Sequence, residues 1–191
     1  MASSRSARRT AVVIVAIVAC AAVTLATMGR PLTYRHGPVR LWSGDVNGDQ
    51  NSQQIADPYT FTHLTHGVLL YALLVVTAGR RPLGERLIAA VALECAWEVL
   101  ENTDAVIRRY RERTIALGYY GDSVINSVGD VAAAILGFLA AAALPPAVTL
   151  AAVVGLEAVL VLWIHDSLLL NVVMLVHPFA AIRAWQSAVG P

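Results

Sequence analysis

The sequence predicts an all-α fold: a polytopic transmembrane helical bundle of five or six spans, with one amphipathic helix lying at the membrane interface. Three observations carry this reading. Hydrophobic residues make up 57% of the 191-residue chain and charged residues only 14%, with a mean hydropathy of +0.62, which excludes an ordinary soluble domain and a disordered one. Several apolar runs reach or approach the roughly 20 residues that hydrocarbon demands. Arginine clusters and Pro/Gly breakers separate those runs at interface-like spacings. The net charge of +1 names no partner, and nucleic acid is not expected. Every basic residue is arginine. Cys20 and Cys95 both lie within apolar runs, where they read as small hydrophobes rather than as a disulfide framework.

Residues 1–28 read as a cytoplasmic N-terminus and first transmembrane helix, and 29–191 as a polytopic membrane domain. The first apolar run exceeds the usual signal-peptide core and no clear cleavage site follows, so an uncleaved helix is expected. Ile17 to Cys20 loosely fits a lipoprotein processing box, but the apolar run continues past the cysteine, which argues against lipidation. Gly29, Arg30 and Pro31 end this span, and a polar segment extends to about residue 60. There DVNGDQNSQ begins like a calcium loop, but Gln50 and Ala56 stand where the turn glycine and bidentate glutamate belong, so a plain polar loop is expected.

The second span runs from Thr60 to Ala78 and is closed by GRRPLGER. The third, RLIAAVALECAWEVLEN, carries Glu94, Glu98 and Glu101 at spacings that place them along one face. In DAVIRRYRERTIALGYYGD, Val106, Ile107, Tyr110, Thr114 and Leu117 recur at helical spacing, which predicts an amphipathic surface helix with Arg108, Arg109, Arg111 and Arg113 at phosphate level. Ser123–Leu144 forms the next span, Pro145 and Pro146 break it, and the following span holds Glu157 near its middle. The last apolar stretch reads either as a sixth span kinked at Pro178 or as a half-span followed by an interfacial helix. Arg5, Arg8 and Arg9 before the first span, with Arg80, Arg81 and Arg86 after the second, place the N-terminus on the cytoplasmic side.

With that topology, polar residues of separate spans converge toward the outer face. Asp57, His63 and His66 open the second span; Glu98, Glu101 and Asn102 close the third; Asp122, Ser123, Asn126 and Asp130 open the fourth; His165 and Asp166 close the fifth. Glu94 and Glu157 are expected deeper, as the floor of a polar cavity. Ionisable groups are costly in hydrocarbon, so such a cluster points to function. His63, His66, Glu98 and Asp130 are the candidate catalytic residues, by general acid–base action or by metal binding with His165 or a carboxylate; the spacing leaves metal and cofactor open. Arg109, Arg113, Asp57, Asp122, Asn126, His165 and Asp166 are the candidate substrate-binding residues. Besides membrane lipids, the expected partner is an anionic envelope lipid or cell-wall precursor meeting the arginines. A proton- or cation-coupled transporter using Glu94, Asp130 and Glu157, and a non-catalytic assembly partner, are the alternatives. The sequence is silent on oligomeric state.

The segments NSQQIADPYTFTHLTHG, ALECAWEVLEN, RYRERTIALGYYGDSVINSVGD and NVVMLVHPFAAIRAWQ resemble an uncharacterised bacterial inner-membrane family, domain-of-unknown-function family 2585, from about Gly29 to Gln186. The resemblance implies a multi-pass membrane protein and brings no activity. The chain departs from that family's usual pattern at Tyr34 and His36, where cysteines are common, and at Pro58, where tryptophan is. A sparser likeness, carried by His66, Glu94 or Glu98, the loop arginines, and Asp122, Asn126 and Gly129, is to VanZ-like membrane proteins, and implies work on the cell envelope.

Overall fold

A computed structural model describes residues 2–114, 116 and 118–187; Met1, Ile115, Leu117 and residues 188–191 lie outside the described residues. Among the described residues there are eight helices and no strand, so the all-α class holds: α1 (Ala2–Thr27), α2 (Thr60–Ala78), α3 (Leu83–Glu101), α4 (Asp104–Arg113), α5 (Val124–Ala143), α6 (Pro146–Ile164), α7 (Leu168–Val176) and α8 (Ala180–Ser187). Four are long and apolar enough to cross a membrane: α1 from Arg5 onward, α2, α5 and α6. α3 is as long as α2 but carries glutamates along one face, and neighbouring helices cover the face with Glu94 and Glu98 while Leu93 and Leu100 stay exposed on the other. Ile14, Ile17, Val18 and Ala21 of α1 pack on Val91 and Cys95 of α3, and Val131 of α5 closes the same cluster.

Local chemistry sets the helix ends. Gly29, at φ +86°, ends α1 in the left-handed region, and the Arg30 N–H reaches back to the Leu25 carbonyl at 3.1 Å, the bonding of a Schellman cap. Thr103, Ser123 and Ser167 cap α4, α5 and α7 through their hydroxyl oxygens. Pro146 starts α6, where its missing N–H costs nothing. Of the two readings of the last apolar stretch, the structure adopts the broken one. α7 has nine residues and rises about 13 Å, well short of the roughly 30 Å of hydrocarbon. Pro178 holds His177 in extended backbone, so α7 and α8 cannot join.

α2 and α5 make the closest pairing, and two glycines permit it. A Cβ on Gly67 would stand 1.9 Å from the Ala134 carbonyl oxygen, and one on Gly137 would stand 1.9 Å from that of Leu64. No side chain could yield there, because both obstacles are backbone. Toward the α2–α3 turn, Leu74, Ala90 and Phe138 fill the interior with Leu70, Tyr71 and Leu87 around them. The bundle is therefore layered. Its apolar half lies toward the C-terminus of α2 and the N-terminus of α3; its polar half lies at their opposite ends.

Candidate functional site

The polar half is built on three helix faces. Spacings of three on α2 and four on α3 turn His63 and His66 toward Glu94 and Glu98, while α5 brings Asp130 from the third side. His63 Nδ1 lies 2.7 Å from Glu94 Oε1 and 3.3 Å from Glu98 Oε1, and its Nε2 lies 3.9 Å from Asp130 Oδ2. His66 Nδ1 lies 3.0 Å from the same Glu94 oxygen. An ionised Glu94 only accepts, so in that state both imidazoles present Nδ1–H to one oxygen. The two rings meet edge to face, with centroids 4.8 Å apart, and Trp97 stands perpendicular to His66.

Glu98 is the least satisfied member. It is 1% exposed, yet neither carboxylate oxygen has a hydrogen-bond partner among the described residues; Asp130 Oδ1 and Ser127 Oγ share that condition. Beside this cluster lies a cavity of about 180 Å³. His63, His66, Glu101, Asp122 and Asp130 line it together with Tyr59, Tyr110 and Tyr119, while Leu168, Val172 and Leu175 of α7 form an apolar wall. Two ligand sets could hold a cation: the donor atoms of His63, His66 and Glu94, and those of His63, Glu98 and Glu101, each lie within 4.8 Å of one another.

The remaining acidic candidates are tied to the loops that roof the cluster. Asn102 and Asp122 exchange two bonds, the Asn102 amide donating to Asp122 Oδ2 at 2.7 Å and the Asp122 N–H donating to Asn102 Oδ1 at 2.7 Å. The Tyr119 hydroxyl also donates to Asp122. Burial pushes the Asp122 carboxyl up to about 6, against the lowering pull of those Asn102 and Tyr119 bonds. Burial likewise raises Asp166 to about 6, although the Ser167 N–H, the Tyr59 hydroxyl and the Gln186 amide all donate to it. Asp57 accepts from the Ser52 and Tyr59 N–H groups, at 2.8 Å each, and from Asn126. Burial raises its carboxyl too, and the Ser52 and Tyr59 bonds oppose the rise.

Several expected participants stand elsewhere. Glu157 is not the floor of the cavity: it accepts from the Leu168 and Leu169 N–H groups and so caps α7, because the turn after α6 brings the first residues of α7 back beside it. His165 is not a partner of His63 and His66. It takes a left-handed conformation at the end of α6, which touches α2 only lightly, and its ring packs on Trp185. Asn126 orients no histidine; its amide donates to the Gln54 carbonyl and to Asp57. Arg109 donates to the Leu175 and Val176 carbonyls at the end of α7, and Arg113 lies in a groove with Pro178 and Arg183, so neither lines the cavity. In the calcium-like loop, Asp45 accepts from the Asn47 N–H and Asp49 from the Tyr34 hydroxyl, the bonds of an ordinary polar turn.

The sequence reading missed Gln53 and Gln54. They are 1% and 0% exposed, and they plug the polar end of α5: Gln53 donates to the Gly121 carbonyl, and Ser123 donates to that of Gln53. The available signal was a stretch without charges, NSQQIA, inside an otherwise charged loop. Tyr110 and Tyr119 were also missed as cavity walls.

Fold and site together define a multi-helix membrane protein with an ionisable cluster sheltered inside its bundle. The chain belongs to the family described as "Protein of unknown function (DUF2585)", which matches residues 25–188. It is similar to a UPF0314 protein of Paracoccus denitrificans, with 47% identity over 90% of this chain and 89% of that one. A UPF0314 protein of Brucella anthropi is 46% identical over 93% of this chain and 90% of its own. The likeness to VanZ-like proteins is not shown by these relatives. No solved structure matches the chain.

Proposed function

We propose that the cavity binds the polar head group of an envelope lipid or lipid-linked cell-wall precursor, with His63 and His66 as its reactive wall and Glu94 and Glu98 behind them. The observation that supports this best is the two-sided lining of one cavity: ionisable groups from α2, α3 and α5 on one side, Leu168, Val172 and Leu175 of α7 on the other. A head group with an attached chain has that same division. In this proposal the chain sits in the bacterial inner membrane with its N-terminus cytoplasmic, which turns the cavity toward the envelope side.

The charge of the lining restricts the head group. Glu101, Asp122 and Asp130 border the cavity and no arginine does, so a bare anion meets like charge there. Hydroxyl- or amine-rich head groups fit the walls as they stand, and a phosphate fits once positive charge accompanies it. A transporter is less well supported, because Phe138, Leu74 and Ala90 pack as an apolar layer in the bundle below the cluster.

Lipid retained by the purified chain tests the proposal. Mass spectrometry of protein released from mild detergent is expected to find one lipid species carried per chain, and Val172→Trp, which fills the cavity from its apolar wall, is expected to lose it while remaining folded. Equal retention by the filled variant would place the lipid elsewhere and end the proposal.

A further inference from the structure

We propose that His63, His66 and Glu94, whose donor atoms lie within 4.8 Å of one another, bind one divalent transition-metal ion of the zinc type, with Glu98, 3.3 Å from His63 Nδ1, as the carboxylate placed to complete the set. The inference deepens the function proposed above, on which it rests for its purpose, by naming what the reactive wall holds. Donor chemistry is the first argument: two imidazoles and two carboxylates are a ligand set suited to zinc and its neighbours. The distances are close to the need. Tetrahedral bonds of roughly 2.1 Å set ligand atoms roughly 3.4 Å apart, and the three cross-helix approaches among these residues are 2.7, 3.0 and 3.3 Å. The shortest, His63 to Glu94, must open by about 0.7 Å, and the other two by about 0.4 and 0.1 Å.

Glu98 is the second, independent observation. A purely structural ion pair satisfies Glu94, which meets both histidines, but leaves Glu98, 1% exposed and approached by His63 Nδ1 at 3.3 Å, with two oxygens that have no hydrogen-bond partner among the described residues. A cation beside His63 Nδ1 gives both oxygens a role. Charge also balances, because a divalent ion neutralises the two carboxylates in a place where an unpaired pair is costly. Asp130 stands behind His63, 3.9 Å from Nε2, and would have to approach by about 1 Å to make the hydrogen bond by which a carboxylate orients a metal-binding imidazole. Such an ion would supply, beside the cavity, the positive charge that the arginines do not bring there.

The full chain in detergent, stripped with chelator and free of added lipid, is titrated with Co2+ and then challenged with Zn2+. One Co2+ per chain, with visible absorption bands that Zn2+ abolishes, is expected. His66→Ala and Glu98→Gln should each weaken binding at least tenfold, while Glu85→Gln, on an exposed pair with Arg81 away from the cluster, should bind as the parent does. Folded parent protein that takes up no stoichiometric metal, or cluster variants that bind unchanged, would overturn the proposal. Should the variants fail to fold, Cu2+ bound to the parent decides: hyperfine coupling to two histidine nitrogens supports the site, and fewer than two overturns it. Lipid retention is read separately, so protein that carries lipid but no metal removes this inference alone.

Discussion

Asp122 connects the loop before α5 to the end of α3, and its bonds to Asn102 and Tyr119 make its titration a readout of that junction. An unfolded chain releases this proton near 3.8, whereas burial holds it to about 6 in the fold. Between those values the folded protein carries more protons, so stability falls as pH rises from about 4 to 6 and is level above. Asp166 acts in the same direction. Thermal unfolding in detergent is therefore expected at a higher temperature at pH 5 than at pH 7, with the gap narrowed in Asp122→Asn; an unaltered gap would exclude Asp122 as its source. Ser123 is the second test at this scale, since its hydroxyl caps α5 at 3.2 Å and donates to the buried Gln53 carbonyl. Ser123→Ala should cost about 1–2 kcal/mol, measured by unfolding in detergent. Composition and spacing made the histidines and glutamates legible as a cluster. They could not reveal Gln53 and Gln54, whose burial depends on where a loop returns rather than on any periodicity.

Among the elements, the α2–α5 crossing carries the firmest expectation. Because Gly67 and Gly137 each face the other helix's backbone at a distance no Cβ tolerates, Gly67→Ala or Gly137→Ala should destabilise the bundle by roughly 1–3 kcal/mol or more. The two positions share one crossing, so the double variant should cost less than the sum, a coupling that unfolding of all four proteins measures. α7 supplies a different test. Glu157 receives its first free N–H groups at 3.3 and 3.1 Å, so Glu157→Gln should speed amide exchange at Leu168 and Leu169 and leave α2 and α5 unaffected. The long apolar runs showed in the sequence where α1, α2, α5 and α6 lie, and Pro145 and Pro146 marked a true break. Glu157 was misread because depth along one helix says nothing about which segment folds back beside it. Pro178 left two readings open, and the extended backbone at His177 decides between them.

At the scale of the whole molecule, α1, α2, α5 and α6 are the stretches fit for lipid, while α3 brings its glutamates into the interior under the cover of its neighbours. The layering that results, apolar around Phe138 and polar around His63, concentrates cost at one end of the bundle, and such cost persists where it serves chemistry. Of the arginines read from the sequence as substrate contacts, Arg109 instead ties α4 to the end of α7 and Arg111 ties it to the loop before α5. Charge density alone could not distinguish a guanidinium facing a ligand from one bonded to backbone carbonyls. The most direct measurement is a lipid and cell-wall comparison between a deletion strain and its parent, with the gene restored as parent sequence, His66→Ala or Glu98→Gln. A composition altered by deletion and restored only by the parent sequence, while both variants still insert, is expected. Full restoration by either variant would contradict a functional role for the cluster.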